Sequence, residues 1–315
     1  MCKVVVATRS FGSTSQEPWD VLAAGRCEPV EVEVSEASDQ RLAEALHDAD
    51  ALIVGGRPIS GDIIAGARRL KVICMHGVGV DHIDLEAARA HGIMVANCPH
   101  ANFNGVADLT LGLMLAVARR IPEANQALRR GGWGRFLGVE IWQKTLGLVG
   151  FGRVGRAVAK RAKGFQMPLL VCDPYAPNNE IEDARARRVS LETLMADADF
   201  VSLHTPLTDE TRRMINWEAL QRMRPTAYLV NTARGELVDE KALYEALIRG
   251  LIAGAGLDVF TEEPPGDNPL LELSNVVATP HIGAHSREST TNASIMAARN
   301  VVQALQAGEP VHRIV

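Results

Sequence analysis

The chain has 315 residues, 47% of them hydrophobic, 23% charged and 4% aromatic, with a formal net charge of −5. That length suits two domains with a core each. The mild acidity argues against nucleic acid as a partner, because basic pairs such as Arg119-Arg120, Arg129-Arg130 and Arg187-Arg188 are scattered and read as solvated helix faces. The opening stretch Met1-Cys2-Lys3-Val4-Val5-Val6-Ala7 has too short an apolar run for a signal peptide, and predicts a first strand with its strand-like run at 4–7. Further strand-like runs fall at 51–54, 72–75 and 93–96, with helical stretches at 39–48, 61–67 and 84–91. Such alternation predicts a parallel sheet with helices on its faces, complete by about residue 97.

A helix-compatible segment covers 102–130. Its first half, 106–117, is apolar on nearly every side, which demands burial by more than one neighbour, within the chain or in a second subunit. No stretch reaches transmembrane length, so no membrane association is expected. A second alternating series follows, with strands at 146–149, 169–172, 200–203, 227–230, 252–257 and 276–278. Its helices are predicted at 153–165, 191–196, 217–223 and 239–249, and a last helix at 286–306. Cys2, Cys27, Cys74, Cys98 and Cys172 show no paired spacing, and an odd count predicts a reducing, cytoplasmic setting. His281 and His285 lack the intervening acid of a zinc helix, so no metal is expected.

Gly150-Phe151-Gly152-Arg153-Val154-Gly155 stands between a predicted strand and a predicted helix. The next strand ends in Asp173, eighteen positions beyond Gly155. Strand, glycine turn, helix, strand and acid is the layout that binds a dinucleotide: the turn admits a pyrophosphate, the helix start faces it, and the acid accepts from a ribose diol. Asp173 would repel a 2′-phosphate, and Pro174-Tyr175 supplies no cation beside it, so NAD is expected over NADP. Three polar groups follow strands of this series: Arg234, Glu263 and His281. A fixed cation, an acid and a base at the ligand-facing edge form a candidate constellation.

Together with the glycine turn, the motifs His204-Thr205-Pro206-Leu207-Thr208, Asn231-Thr232-Ala233-Arg234-Gly235, Leu257-Asp258-Val259-Phe260-Thr261-Glu262-Glu263-Pro264 and Thr279-Pro280-His281-Ile282-Gly283 resemble those of the D-isomer-specific 2-hydroxyacid dehydrogenases. Within them the chain is most similar to the short phosphoglycerate-dehydrogenase-like branch. Gly77-Val78-Gly79-Val80-Asp81 and Asn97-Cys98-Pro99 add to the resemblance. It implies an α/β fold of two doubly wound parallel-sheet domains. One is a discontinuous flavodoxin-like substrate domain of residues 1–98 and 286–315, and the other an inserted Rossmann NAD domain of 99–285.

The resemblance also implies roles. His281 would exchange a proton with the substrate oxygen, Glu263 would orient the imidazole and raise its pKa, and Arg234 would clamp the carboxylate. Backbone N–H groups of Val78 and Gly79 would complete the substrate contacts. NAD would lie on Gly150, Gly152, Arg153, Val154, Gly155, Asp173, Thr205, Thr232, Ala233, Asp258 and Gly283. Closure between the domains would exclude water, and a homodimer would form through the long helix and its following arm, with Trp133. The substrate would be a small 2-oxoacid or D-2-hydroxyacid: phosphoglycerate, hydroxypyruvate, glyoxylate or a bulkier acid. The family's phosphate-reading Arg aligns with Gly55, whereas here Arg57 stands two residues later as the candidate. His82, His100 and His285 replace small or amide residues. The alternative reading is an NAD(H)-sensing, corepressor-like binding protein of the same fold.

Overall fold

The computed structural model describes residues 1–32 and 39–315. They form two units, Met1–Asn102 with Ala284–Val315, and Phe103–Gly283. The division therefore falls at 102/103 and 283/284 rather than at the expected 98/99 and 285/286.

The first unit carries β1 (Cys2–Ala7), α1 (Glu17–Ala24), β2 (Cys27–Glu31), α2 (Asp39–Leu46), β3 (Ala51–Val54), α3 (Gly61–Gly66), β4 (Val72–Met75), α4 (Leu85–Ala90) and β5 (Met94–Ala96). All five strands are parallel, in the order β2-β1-β3-β4-β5, which is the flavodoxin-like winding. Alternate residues explain why these runs are apolar throughout. Val5, Leu52 and Ile73 pack towards Leu42, Leu46 and Ile64 on one face. Val4, Ile53 and Cys74 pack towards Leu22, Ala297 and Val301 on the other. The strand β2 carries Pro29 and, among the described residues, pairs with β1 alone, an edge position where a missing N–H costs nothing.

The second unit carries α5 (Phe103–Ala118), α6 (Ile121–Arg129), β6 (Leu146–Val149), α7 (Arg153–Ala162), β7 (Leu169–Cys172), α8 (Asn178–Asp183), β8 (Ala186–Arg188), α9 (Leu191–Asp197), β9 (Phe200–Leu203), α10 (Trp217–Arg222), β10 (Tyr228–Asn231), α11 (Glu240–Ile248), β11 (Gly254–Leu257) and β12 (Val276–Ala278). Its seven strands are parallel, in the order β12-β11-β10-β9-β6-β7-β8. The order reverses between β6 and β9, and the glycine turn leaves β6 at that switch point, where doubly wound sheets bind ligands. The last helix, α12 (Arg287–Ala307), packs back onto the first unit's sheet.

Two of the predicted helices are interrupted. The segment 102–130 is two helices, because Arg120 is left-handed (φ 52°) and Pro122 opens α6. The apolar α5 is buried within its own unit, where Leu113, Met114 and Val117 join Leu148 and Val230 in one cluster. Its surroundings require no second subunit to account for them. The 3₁₀ turn Lys163–Phe165 likewise ends the predicted helix 153–165.

Candidate active site

The turn after β6 is shaped by contact. Gly150 has φ 92°, and a Cβ there would lie 2.6 Å from the His204 carbonyl carbon and 2.7 Å from the Thr205 nitrogen. Any side chain would push the turn off the β9 strand end, so only glycine keeps it in place. At Gly152, by contrast, a Cβ would meet nothing within 4 Å, which leaves that side of the turn open. Gly152 caps α7 without a side-chain bond, and Arg153, Val154 and Gly155 form its first turn. Their N–H groups precede the first intrahelical bond, from the Arg156 N–H to the Gly152 carbonyl at 3.0 Å. This is the donor array that a phosphate requires.

Asp173 at the end of β7 is held by backbone donors. One carboxylate oxygen accepts from the Phe151 N–H at 2.7 Å, and the other from Tyr175 and Ala176 N–H groups at 2.8 and 3.0 Å. The acid thus ties the glycine turn to its own loop. Sequence reasoning missed Arg188, whose guanidinium donates to the Asp173 and Ala176 carbonyls and, at 3.0 Å, to Asn178 Oδ1. The β7–β8 register sets Arg188 beside Val171, a neighbour that no spacing in the sequence reveals.

Beyond β10, buried Asn231 builds the turn that carries Arg234: its amide donates to the Arg234 carbonyl at 2.8 Å and accepts from the Ala233 N–H at 3.1 Å. Thr232 is buried, its hydroxyl 3.0 Å from that of Thr110. The Arg234 guanidinium donates to the Ala233 carbonyl at 2.7 Å. At the end of β9, His204 is buried, and burial pushes its imidazole down to about 3, so it is neutral. Its Nε2 meets Ser202 Oγ at 2.9 Å, while Nδ1 has no hydrogen-bond partner among the described residues.

His281 stands on a strained turn, with φ 51°. A left-handed non-glycine residue costs roughly 1–3 kcal/mol, and the surroundings must compensate for it. Asp258 does so. It is buried, and its carboxylate accepts from Thr279 Oγ1 at 2.6 Å and from the Ile282 and Gly283 N–H groups at 2.8 Å each. Its carbonyl accepts the His281 N–H at 2.8 Å. The anchoring by Thr279 and the saturation of Asp258 were not evident from the sequence.

The imidazole Nδ1 of His281 lies 2.7 Å from Glu263 Oε2, and the Phe260 N–H donates to Glu263 Oε1 at 3.1 Å. The hydrogen bond to Glu263 raises the His281 pKa above its usual 6.5. Partial burial opposes this, the charges of Glu263 and Asp258 reinforce it, and Arg234 subtracts from it. For Glu263, burial works upward, but the His281 and Phe260 hydrogen bonds and the charges of His281 and Arg234 outweigh it, so its pKa is lowered. Arg234 is therefore close enough to act on both members of the pair. Together they make a carboxylate-held imidazole, biased towards its charged form beside a guanidinium, which is equipped to move a proton to or from an anionic substrate.

In the first unit, Val78 and Gly79 lie in the turn after β4. The Val78 carbonyl accepts from Asn97 Nδ2 at 2.7 Å, while the Val78 and Gly79 N–H groups donate to no acceptor among the described residues. Arg57 is paired with Asp39 at 2.7 Å, and its side chain is only 14% exposed, rather than facing solvent. His82 Nε2 lies 3.0 Å from the Gly55 carbonyl, and His100 stands edge-on to His312. Among the described residues no cluster of His, Cys, Asp or Glu could hold a metal, and no helix is long and apolar enough to cross a membrane.

The family model of the D-isomer specific 2-hydroxyacid dehydrogenase NAD-binding domain matches residues 111–283. The chain belongs to the D-isomer-specific 2-hydroxyacid dehydrogenases. It is 48% identical to the D-3-phosphoglycerate dehydrogenase of Methanocaldococcus jannaschii over 90% of this chain, and spans 55% of that protein's length. It is 44% identical to the glyoxylate reductase of Korarchaeum cryptofilum, over 86% of this chain and 84% of the relative. Among solved structures it resembles the TT0316 protein of Thermus thermophilus, with a TM-score of 0.91 and 41% identity over 99% of this chain and 100% of that one.

Proposed function

We propose that the chain is an NAD-dependent oxidoreductase that reduces a small 2-oxoacid at C2, or oxidises the D-2-hydroxyacid. The observation that supports this most directly is the 2.7 Å contact between His281 and Glu263, with the Arg234 guanidinium acting on both.

When bound, the nicotinamide supplies or takes up the hydride. The residues present fit such a cofactor. Arg153, Val154 and Gly155 offer N–H groups at a helix start, open on the Gly152 side, and Asp173 offers carboxylate oxygens for a ribose diol. We also assign Thr205, Thr232, Ala233, Asp258 and Gly283 to the cofactor surface. The preference for NAD over NADP rests on the negative charge of Asp173. The Arg188 guanidinium bonded beside it is taken up by carbonyl and amide oxygens.

In reduction, protonated His281 donates its Nε2 proton to the oxygen at C2, while its Nδ1 stays on Glu263, whose charge offsets that of the imidazolium. In oxidation the neutral imidazole takes the proton back. Arg234 holds the substrate carboxylate by a planar two-point contact and polarises the adjacent carbonyl. The N–H groups of Val78 and Gly79, without an acceptor among the described residues, are proposed donors to an anionic substrate group.

A panel of glyoxylate, hydroxypyruvate, its phosphorylated counterpart and bulkier 2-oxoacids, followed by loss of NADH absorbance, tests the assignment. His281→Ala should lower turnover by roughly 10²–10⁴-fold with NADH affinity kept. Turnover unchanged in that variant, or absent with every acid in the parent, would favour a nucleotide-sensing protein instead. A cytoplasmic setting is proposed from the odd count of five cysteines. A homodimer is proposed from the exposed apolar residues Ile121, Leu128, Trp133 and Leu137 on and after α6.

A further inference from the structure

Glu263 lies in the loop between β11 and β12, and the 261–268 stretch of that loop is fastened at both ends by one side chain from another element. Glu240, the first residue of α11, accepts the Thr261 N–H on Oε1 at 2.6 Å and the Asn268 side-chain amide on Oε2 at 2.7 Å. Those two donors bracket Glu263 on either side. Asn268 is itself fixed, because its oxygen caps the short 3₁₀ turn Pro269–Glu272 through the Leu270 N–H at 3.0 Å.

The base of the clamp is rigid as well. Asp239 caps α11 by accepting the Lys241 and Ala242 N–H groups at 3.1 Å each, so the first turn that carries Glu240 is set. A carboxylate is favoured there by the positive end of the helix. The Arg234 turn touches the same peptide. A Cβ on Gly235 would lie 1.9 Å from the Phe260 carbonyl carbon and 2.3 Å from the Thr261 nitrogen. Backbone therefore packs on backbone where Arg234 leaves β10, and the Thr261 N–H leaves that packed peptide for Glu240. The preceding N–H, that of Phe260, goes to Glu263. Adjacent N–H groups thus serve two glutamates, one facing His281 and one anchoring the loop.

We propose that Glu240 is a positioning residue for the proton-transferring pair: by fastening both ends of the 261–268 loop it holds Glu263 against His281. This rests on the reading of His281 as the proton donor. The hydrogen bonds of Glu240 go to Thr261 and Asn268 rather than to His281 or Glu263, so its effect passes through loop geometry.

The test uses the full chain and compares Glu240→Ala and Glu240→Gln with the parent. The His281 pKa is read from the imidazole NMR titration, and kcat and its pH profile from 2-oxoacid reduction with NADH. Glu240→Ala should lower the His281 pKa towards its ordinary value and cut kcat about tenfold to a hundredfold, the scale of a small misplacement of a catalytic group. NADH affinity should stay within about twofold, since none of the proposed cofactor contacts is altered. Glu240→Gln keeps one acceptor oxygen and should fall between the two, which also guards against a folding failure of the alanine variant. In a Glu263→Gln background, Glu240→Ala should add nothing further. An unmoved His281 titration in both variants overturns the proposal, as do independent, additive losses in the double variant. A parent inactive on every 2-oxoacid would instead overturn the reductase assignment, and the titration would still decide whether Glu240 holds the pair.

Discussion

His281 Nδ1 and Glu263 Oε2 meet at 2.7 Å although eighteen positions separate them in the chain. The contact has a direction as well as a length: it raises the His281 pKa above 6.5 and lowers that of Glu263 below 4.5. A raised imidazole pKa keeps the charged form present to higher pH. Reduction needs that proton on His281, so kcat/KM for a 2-oxoacid should hold on the acid side and fall as pH rises through the raised pKa. Oxidation needs the neutral ring and should rise over the same interval. Glu263→Gln removes the charge that favours imidazolium, so the reductive profile should turn down at lower pH. Initial rates in both directions across pH check this, and a Glu263→Gln profile that coincides with the parent's would remove Glu263 from the mechanism.

Asp173→Asn should narrow the preference for NADH over NADPH. The substitution removes the charge that opposes a 2′-phosphate while keeping one oxygen acceptor. A change of about 1–3 kcal/mol corresponds to roughly 5- to 150-fold in relative affinity. Competition titrations of the two cofactors measure it, and an unaltered ratio would take Asp173 out of the ribose contact.

Arg57→Ala distinguishes substrates. Arg57 already has a carboxylate partner in Asp39, so a phosphate would have to share or displace that pairing. If the guanidinium reads phosphate, kcat/KM for a phosphorylated 2-oxoacid should drop by about tenfold or more while glyoxylate is spared. Equal effects on the two substrates would assign Arg57 to the Asp39 pair alone.

Trp133 and Leu137 are 93% and 89% exposed in the stretch after α6, a helix with no buried residue. Light scattering of the purified chain should give twice the monomer mass, and Trp133→Asp with Leu137→Asp should shift it to the monomer. A monomeric parent would leave these residues without the assigned partner.

The buried strands of both sheets were legible because they are continuous apolar runs between two neighbours; β3, β4, β6, β7 and β9 begin and end at the predicted residues. The edge strands β2 and β8 were not predicted. With a neighbour on one side only, they carry Glu28, Pro29 and Glu31 or Arg187 and Arg188, and show no hydrophobic signal. The short helix α1 was not predicted either. The left-handed turn at Arg120 has no cue of its own, and the one signal for the break was Pro122, a proline that cannot continue the preceding helix. Arg234, Glu263 and His281 drew attention as polar residues just beyond strand ends. Asp258, Thr279 and Arg188 act through hydrogen bonds to backbone and side chains brought near only by the strand order, so their duties as tethers had no linear signature.

The bond from the Phe151 N–H to Asp173 gives one carboxylate two jobs in the proposed function, shaping the glycine turn and facing the ribose. Cofactor choice and cradle shape are then not independently mutable traits. A lineage converting this chain to NADP by exchanging the acid for a small or basic residue would also loosen the phosphate cradle. Conversion would therefore require a second, compensating substitution that supplies a new acceptor for that N–H, and the two changes should show strong epistasis.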